Sequence, residues 1–188
     1  LWECIEHKVD LDSLNTMPGT VDRSQTNKIF VEKYDGKEQT EPVIVKVDGE
    51  DGVKTGVFIG QCKGPNLCVK IEGKVKNITI SNCDQCGIVF DNCVTTVEVI
   101  GSKRCQIQAL ECAGSYIIDK CDRTALYLAD ASIDDKVVVY SAQSTSTNVY
   151  QSTPDGEDQE EHAIPDQIQS TFKKATQPEH IVVIPDAE

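Results

Sequence analysis

The sequence predicts an all-β chain folded as a right-handed parallel β-helix, with a β-hairpin extension near its C-terminal end. The first observation is compositional: the 188 residues include 20 Val and 17 Ile but only 7 Leu, and β-branched residues favour strands over helices. The second observation is an internal repeat. Residues 76–94, 95–113 and 114–132 align without gaps as three blocks of 19 residues. This period fits one coil of a β-helix and is too short for a strand–helix unit.

The repeat predicts which residues stack from one coil to the next. The preceding block, residues 55–75, fits with two extra residues at its turn and aligns Ile59 with Ile80 and Cys62 with Cys83. The predicted columns are Ile80, Val99 and Ile118; Phe90, Ala109 and Leu128; Cys83, Ser102 and Cys121; Cys86 and Cys105; and Cys93 and Cys112. Stacked small thiols suit the tight corners of a narrow solenoid. A β-sandwich is the competing architecture, but it would not require a fixed register.

Three segments are expected along the chain. Residues 1–27 form an N-terminal leader, partly irregular, and residues 28–150 form the β-helix, opening with strands at 28–34 and 42–47. Residues 151–188 contain an acidic loop at 151–161, a hairpin and a tail. A coil end exposes unpaired strand edges and must be capped. The strand-forming pieces around 162–168 and 180–184 are therefore expected to form a hairpin outside the 19-residue register.

Charge and cysteine content narrow the classes of partner and cofactor. The net charge of −13 argues against a nucleic acid or an anionic membrane surface, both of which need clustered Lys and Arg. Nine cysteines without a secretory signal indicate reduced thiols and a cytoplasmic protein. Cys83 and Cys86 form one Cys-x-x-Cys pair, but no second pair follows and the three histidines are distant in sequence. We therefore expect no metal and no cofactor.

The sequence does not indicate an enzyme. The carboxylates that could line a β-helix groove are best explained as turn residues, where Asp is favoured; they are Asp119, Asp122, Asp130, Asp134 and Asp135. No Gly-rich phosphate loop or nucleophile motif accompanies them. We expect no catalytic residues.

Residues 73–128, which begin GKVKNITISNCDQCGIVF, resemble the C-terminal β-helix domain of cyclase-associated proteins. The likeness continues through residues 137–168, where an acidic loop and an Ile-Pro-Asp-Gln turn follow in family order, and it spans about residues 28–184 in all. It implies a non-enzymatic, cytoskeleton-associated domain that binds monomeric actin, prefers its ADP form and promotes nucleotide exchange, so that monomers are recycled. The family's helical domain, proline-rich region and Wiskott-homology motif are missing. The chain is expected to be a β-helix-only form or an excised domain, and cyclase and profilin binding are not implied.

The repeat also resembles the tubulin-folding cofactor C type of domain, which supplies the alternative function, a GTPase-activating or tubulin-binding module. Those domains act through a Gln-x-Arg motif. Here Gln106-Ile107-Gln108 occupies a comparable place and offers Gln where the arginine would lie, with Arg104 nearby. Loss of the guanidinium would remove several orders of magnitude in rate.

Outward residues of one sheet are the candidate actin contacts, because alternate residues of a strand face outward. They are Lys70, Glu72, Val89, Asp91, Gln108 and Tyr127, and a neighbouring face offers Thr79, Glu98 and Ile117. The family resemblance implies a homodimer that exchanges its C-terminal hairpins, for which the candidate interface is Ile164, Ile168, Val182 and Ile184. The last residues are expected to form an acidic tail that reaches bound actin: Pro185, Asp186, Ala187 and Glu188.

Overall fold

A computed structural model describes residues 19–39, 41–47, 49, 51–128, 137–152, 158–171 and 179–183, with no side-chain description at 168–171 and 179. This part of the chain is a parallel β-solenoid, as the repeat predicts, and contains one short 3₁₀ helix and no α-helix. No helix in these ranges is long and apolar enough to cross a membrane. The strands are β1 (Thr20–Asp22), β2 (Lys28–Glu32), β3 (Val43–Lys46), β4 (Gly56–Gly60), β5 (Cys68–Val75), β6 (Asn77–Ser81), β7 (Gly87–Ile100), β8 (Gln106–Asp119), β9 (Asp122–Tyr127), β10 (Val138–Ala142), β11 (Thr145–Ser152), β12 (Gln159–Ile164), β13 (Gln167–Thr171) and β14 (Glu179–Val183); the 3₁₀ helix is Gly52–Lys54.

Two parallel strand stacks form the walls of the solenoid. Sheet 1 contains β2, β4, β6, the second halves of β7 and β8, and β10. Sheet 2 contains β3, the first halves of β5, β7 and β8, then β9 and β11. Antiparallel strands lie at two of the open edges, β1 on β2 and β12 on β11. These additions pair backbone groups that the first and last strands would otherwise expose.

The predicted stacking of Ile59, Ile80, Val99 and Ile118 is confirmed. Ile59 pairs with Ile80, Ile80 with Val99, and Val99 with Ile118. All four side chains are buried and their alternate neighbours face outward. Phe90 pairs with Ala109 in sheet 2, as the repeat also predicts. A narrow core therefore runs the length of the solenoid.

The predicted stacking of Cys93 on Cys112 is wrong. Cys93 pairs with Ala113, and Cys112 pairs with Asn92. The register shifts twice between β7 and β8, once after the Phe90–Ala109 pair and again between Cys93 and Thr96. β8 has one extra residue at the first bulge and β7 has one at the second, so the two shifts cancel. The 19-residue period is therefore restored, and the sequence alignment does not reveal the local change of register. Cys93 is buried and Cys112 only partly so.

The corners between sheet 1 and sheet 2 explain most of the cysteines. One corner column contains Cys62, Cys83, Ser102, Cys121 and Ser144, all buried. Each of these side chains donates a hydrogen bond to the backbone carbonyl two residues earlier. The residue before each one has a left-handed backbone, with φ between 51° and 59°. A short side chain that can reach back to a carbonyl is what such a corner accommodates, so Cys and Ser alternate freely there.

The second half of each corner has the same arrangement, a left-handed residue followed by a short buried side chain. Gln85, Arg104 and Arg123 have positive φ, and the next residue turns inward as Cys86, Cys105 or Thr124, each buried. Between the two halves of each corner lies one residue that forms an isolated parallel bridge with the equivalent residue of the next coil. These bridged residues alternate in charge along the solenoid: Asp35, Lys63, Asp84, Lys103 and Asp122. Neighbouring corners thus place opposite charges over one another, and Lys63 lies 3.4 Å from Asp35.

The acidic loop expected at 151–161 is shorter than the sequence suggests. Gln151 and Ser152 extend β11, and Gln159 to Glu161 begin β12, which pairs antiparallel with β11. Polar, mostly exposed residues form this strand because it lies at the edge of the sheet, where little of it contacts the core. The strand-forming pieces around 162–168 and 180–184 fall on the end of β12 and on β13 and β14. These last two strands form a separate two-stranded sheet.

Candidate functional site on sheet 2

Four of the candidate actin-contacting residues lie in one straight column on the outer face of sheet 2. Lys70 pairs with Val89, Val89 with Gln108, and Gln108 with Tyr127. The column continues beyond the prediction to Ile44 on β3 and to Tyr150 on β11. Six consecutive strands therefore present one side chain each to the same outer face. Ile44 is half exposed, at 50%.

Charged side chains group at the β3 end of this face. The Lys70 ammonium lies 3.0 Å from a Glu72 carboxylate oxygen, and the Lys46 ammonium lies 3.3 Å from the other oxygen of the same carboxylate. Hydrogen bonds from Lys70 and then Lys46 lower the pKa of Glu72, and Glu72 raises the pKa of Lys70. Glu72 and Lys70 are thus both charged at neutral pH. Since they are solvent-accessible, the pairing orients the side chains and adds little stability.

A bulge at Gly73 fixes where Glu72 and Asp91 lie. Gly73 has φ +98°, and a Cβ on it would meet the Val47 carbonyl oxygen at 2.2 Å, so only glycine fits. Its backbone N–H donates to Asp91 at 2.7 Å, which connects the bulges of two successive coils. Glu72 and Asp91 therefore lie along the ridge where sheet 2 ends, beside the column.

The other half of the face is a groove of about 500 Å³. Its lining includes Val89, Gln108 and Tyr127 from the column, with Pro65, Asn66 and Cys68 from the preceding turn and strand. Tyr127 stacks on Tyr150, with ring centroids 4.7 Å apart and planes inclined by 13°. Burial raises the pKa of Tyr150, so the Tyr150 phenol is a neutral donor at physiological pH. The face thus passes from charged at β3 to apolar and aromatic at β11.

The neighbouring candidate face on sheet 1 is also in register. Thr79 pairs with Glu98 and Glu98 with Ile117; the Thr79 hydroxyl lies 3.5 Å from the Glu98 carboxylate. Phe58 precedes this column and Tyr140 follows it. Among the described ion pairs, none involves a residue of this column, in contrast to the Lys46–Glu72–Lys70 group on sheet 2.

The predicted dimer residues fall in different surroundings. Ile164 ends β12, is partly buried and packs against the protein's own core. In the β13–β14 hairpin, Ile168 pairs with Val182, and the Val182 side chain is 59% exposed, as is that of Ile181. Ile184 and the predicted tail, Pro185, Asp186, Ala187 and Glu188, lie outside the described residues.

The arrangement around Arg104 bears on the GTPase-activating alternative. Gln108 belongs to the sheet 2 column, whereas Arg104 lies in the corner with φ 52°. The Arg104 guanidinium binds both carboxylate oxygens of Asp84 at 2.7 Å. It is therefore held in a corner ion pair, apart from the sheet 2 column that contains Gln108.

The expected turn carboxylates do not assemble a reaction centre in the described ranges. Asp119 contacts Lys120 and Asp122 contacts Arg123, both on the surface, and Asp130, Asp134 and Asp135 lie outside those ranges. No group of three His, Cys, Asp or Glu side chains among the described residues is placed to hold a metal ion. Burial raises the pKa of Cys105 to about 12 and of Cys93 to about 11, so these thiols are poor nucleophiles at neutral pH.

Sequence analysis missed Ile44, Lys46 and Tyr150 as members of this face. The signal was present for Ile44 and Lys46, because residues 42–47 read as a strand with alternating outward positions. Their register against β5 depends on the irregular turn between them, so the 19-residue period could not align them. Tyr150 was hidden by the longer coil that separates β9 from β11.

The fold and the site together define a β-solenoid domain whose sheet 2 presents one in-register column of outward side chains beside a groove. Residues 18–184 match the family model described as adenylate cyclase associated (CAP) C terminal, and the chain belongs to that family. It is 37% identical over 139 residues to adenylyl cyclase-associated protein 2 of Rattus norvegicus, an alignment covering 72% of this chain and 28% of the relative. It is 31% identical over 157 residues to cyclase-associated protein 1 of Arabidopsis thaliana, covering 84% and 31%.

A solved structure has the same fold. The crystal structure of cyclase-associated protein from Cryptosporidium parvum superposes with a TM-score of 0.74 at 21% identity, covering 89% of this chain and 100% of that chain. The chain spans less than a third of the length of the curated relatives described above.

Proposed function

We propose that this domain binds monomeric actin through the outer face of sheet 2. Family membership supports this proposal, and the single structural observation behind it is the in-register column from Ile44 to Tyr150. A flat wall with exposed apolar side chains and oriented charges is typical of a surface that a partner covers. Lys70, Glu72 and Asp91 would supply polar contacts, whereas Val89, Gln108 and Tyr127 would line the recess. The domain acts by binding and performs no chemistry of its own.

The finer proposal is preference for ADP-actin and acceleration of its nucleotide exchange. A binder accelerates exchange only if it favours the open or nucleotide-poor state of its partner over the closed one. The proposed homodimer contributes by presenting two sheet 2 faces at once. The exposed apolar side chains of β14, Ile181 and Val182, support pairing of the β13–β14 hairpin with a second copy, because an isolated two-stranded sheet is marginal in water.

The binding proposal is tested with a triple variant, Lys70→Ala, Glu72→Ala and Asp91→Ala. The matched control, Lys120→Ala, Asp119→Ala and Glu38→Ala, also removes one lysine and two acids; its 3.8 Å Lys120–Asp119 pair and the exposed turn residue Glu38 lie outside sheet 2. We expect the first triple to weaken binding to ADP-actin monomers at least tenfold, about 1.4 kcal/mol. The control should bind normally. Equal losses, or none in either protein, would refute the assignment to sheet 2.

Exchange is measured as release of a fluorescent nucleotide from ADP-actin. The intact protein should accelerate release, whereas truncation after Thr176 should yield monomers by light scattering and reduce exchange more than binding. A monomer for the intact chain at micromolar concentration would refute the dimer. Failure to form any complex with actin would refute the proposed function itself, and the GTPase-activating alternative would then be tested with tubulin and small GTPases.

A further inference from the structure

A second recess lies on sheet 1, at the edge where its first strands begin. It measures about 370 Å³ and is lined by Thr26, Asn27, Lys28, Phe30, Lys54, Gly56, Val57, Phe58, Lys76, Asn77 and Thr79; we call it the lysine groove. Lys28 opens β2, Lys54 ends the 3₁₀ helix before β4, and Lys76 directly precedes β6. Three successive coils thus each contribute one lysine residue to the lining of the same recess.

These lysines are largely uncompensated. Among the ion pairs of the described residues, Lys28 and Lys76 take part in none, and Lys54 approaches only Asp51, at 4.0 Å between two exposed side chains. Lys28 pairs with Gly56 and Gly56 with Asn77, so Lys28 lies two strand spacings, roughly 10 Å, from Asn77, the residue that follows Lys76. In a chain of net charge −13, three such ammonium groups create a local positive potential within about one Debye length.

The floor of the groove combines a side-chain amide with an aromatic wall. Gly56 has no side chain, and the Asn77 side-chain oxygen lies over it, 2.8 Å from where a Cβ would stand. Phe30 and Phe58 stand beside it with ring centroids 5.7 Å apart and planes inclined by 50°. Both rings are partly exposed. The side-chain amides of Asn27 and Asn77 and the hydroxyls of Thr26 and Thr79 add neutral hydrogen-bonding groups.

We propose that the lysine groove binds a nucleoside polyphosphate, with the phosphates among Lys28, Lys54 and Lys76 and the base against Phe30 and Phe58. Phosphate suits point-charge ammonium groups, and every nucleobase has a face that stacks on aromatic side chains. The recess falls within the 300–1,000 Å³ range of small-molecule sites. An acidic protein segment is disfavoured because a stable protein contact covers a far larger, flatter area. The groove is on sheet 1, so the proposal does not depend on sheet 2 binding actin.

Isothermal titration at low salt tests the site with three probes: inorganic pyrophosphate, ADP and adenosine. We expect pyrophosphate to bind, ADP to bind several-fold more tightly, and adenosine to bind least. We expect ADP binding to weaken about fivefold in each of three single variants: Lys28→Ala, Lys54→Ala and Lys76→Ala. This factor corresponds to about 1 kcal/mol, the energy of one solvated charge pair. Lys103→Ala is the matched control, because Lys103 is an exposed lysine at the corner, outside the groove.

Phe30→Leu separates the two halves of the proposal. It keeps the lysines and an apolar side chain, so ADP should lose affinity while pyrophosphate should not. Absence of binding by both phosphate probes at millimolar concentration would overturn the site, as would an equal loss in Lys103→Ala and Lys76→Ala, which would indicate nonspecific attraction. Equal affinity for pyrophosphate and ADP would overturn the base contact.

Discussion

Replacing Tyr116 by phenylalanine should stabilise the protein. Tyr116 is among the largest fully buried side chains, with 0% exposure, and within the described structure its hydroxyl oxygen is buried without a hydrogen-bond partner. Burial also raises the pKa of this phenol, consistent with an apolar surrounding. Leaving a buried polar group unpaired costs about 1–3 kcal/mol. Tyr116→Phe removes the group and keeps the ring in place, so we expect the free energy of unfolding to rise by about 1 kcal/mol.

Urea unfolding followed by circular dichroism measures this gain, and a Tm increase of about 2–4 °C should accompany it for a chain of this size. Tyr140→Phe is the control, because the Tyr140 side chain is 60% exposed and should change stability by less than about 0.5 kcal/mol. A loss of stability in Tyr116→Phe larger than that of the control would refute the reasoning, since it would mean that the hydroxyl is paired in solution. Tyr116→Ala should lose about 3–5 kcal/mol whichever result holds.

Three further predictions concern the corners and the core thiols. Burial raises the pKa of Cys93 to about 11 and of Cys105 to about 12 from an ordinary value of 9.0. As the pH rises, the thiols of the unfolded chain therefore lose their protons before those of the folded chain. The free energy of unfolding, measured by urea unfolding at each pH, should be full below pH 9 and fall between about pH 9 and 12. Gln85→Gly should raise the free energy of unfolding by about 0.5–1 kcal/mol, because Gln85 has φ 58° and glycine relieves the left-handed strain; a loss in the same urea assay would contradict it. Asp84→Asn should cost at most about 1 kcal/mol, since its ion pair with Arg104 is exposed, and 0.5 M NaCl should shrink the difference from the parent protein.

The 19-residue period predicted the fold because a solenoid repeats the same local problem in every coil. Each corner needs left-handed backbone followed by a short inward side chain, and each strand needs alternate β-branched residues. Cys83, Ser102 and Cys121 satisfy one corner position with the same hydrogen bond to a carbonyl two residues earlier, so sequence alignment of these residues reports their spatial stacking directly.

The period failed where the structure departs from strict repetition. Paired bulges in β7 and β8 displaced Cys112 from Cys93 without changing the coil length, so no count along the chain could reveal them. The lysine groove was missed for a related reason: Lys28, Lys54 and Lys76 come from coils of unequal length, joined through a 3₁₀ helix. The sheet 2 column was predicted on its middle four strands, where the number of residues between successive members is uniform or nearly so. Its first and last members, Ile44 and Tyr150, were not predicted.

The corner residues that stabilise the fold are separate from the residues that face outward on the two sheets. The corner side chains and the core column are buried and account for the register, whereas Lys70, Val89 and Gln108 project outward and contribute little to packing. Because parallel strands hold their register through backbone hydrogen bonds and inward side chains, outward residues can change without moving the wall. Surface variants on sheet 1 and sheet 2 should therefore retain the β circular-dichroism spectrum of the parent protein, and differences in binding between them can be assigned to the face that was altered.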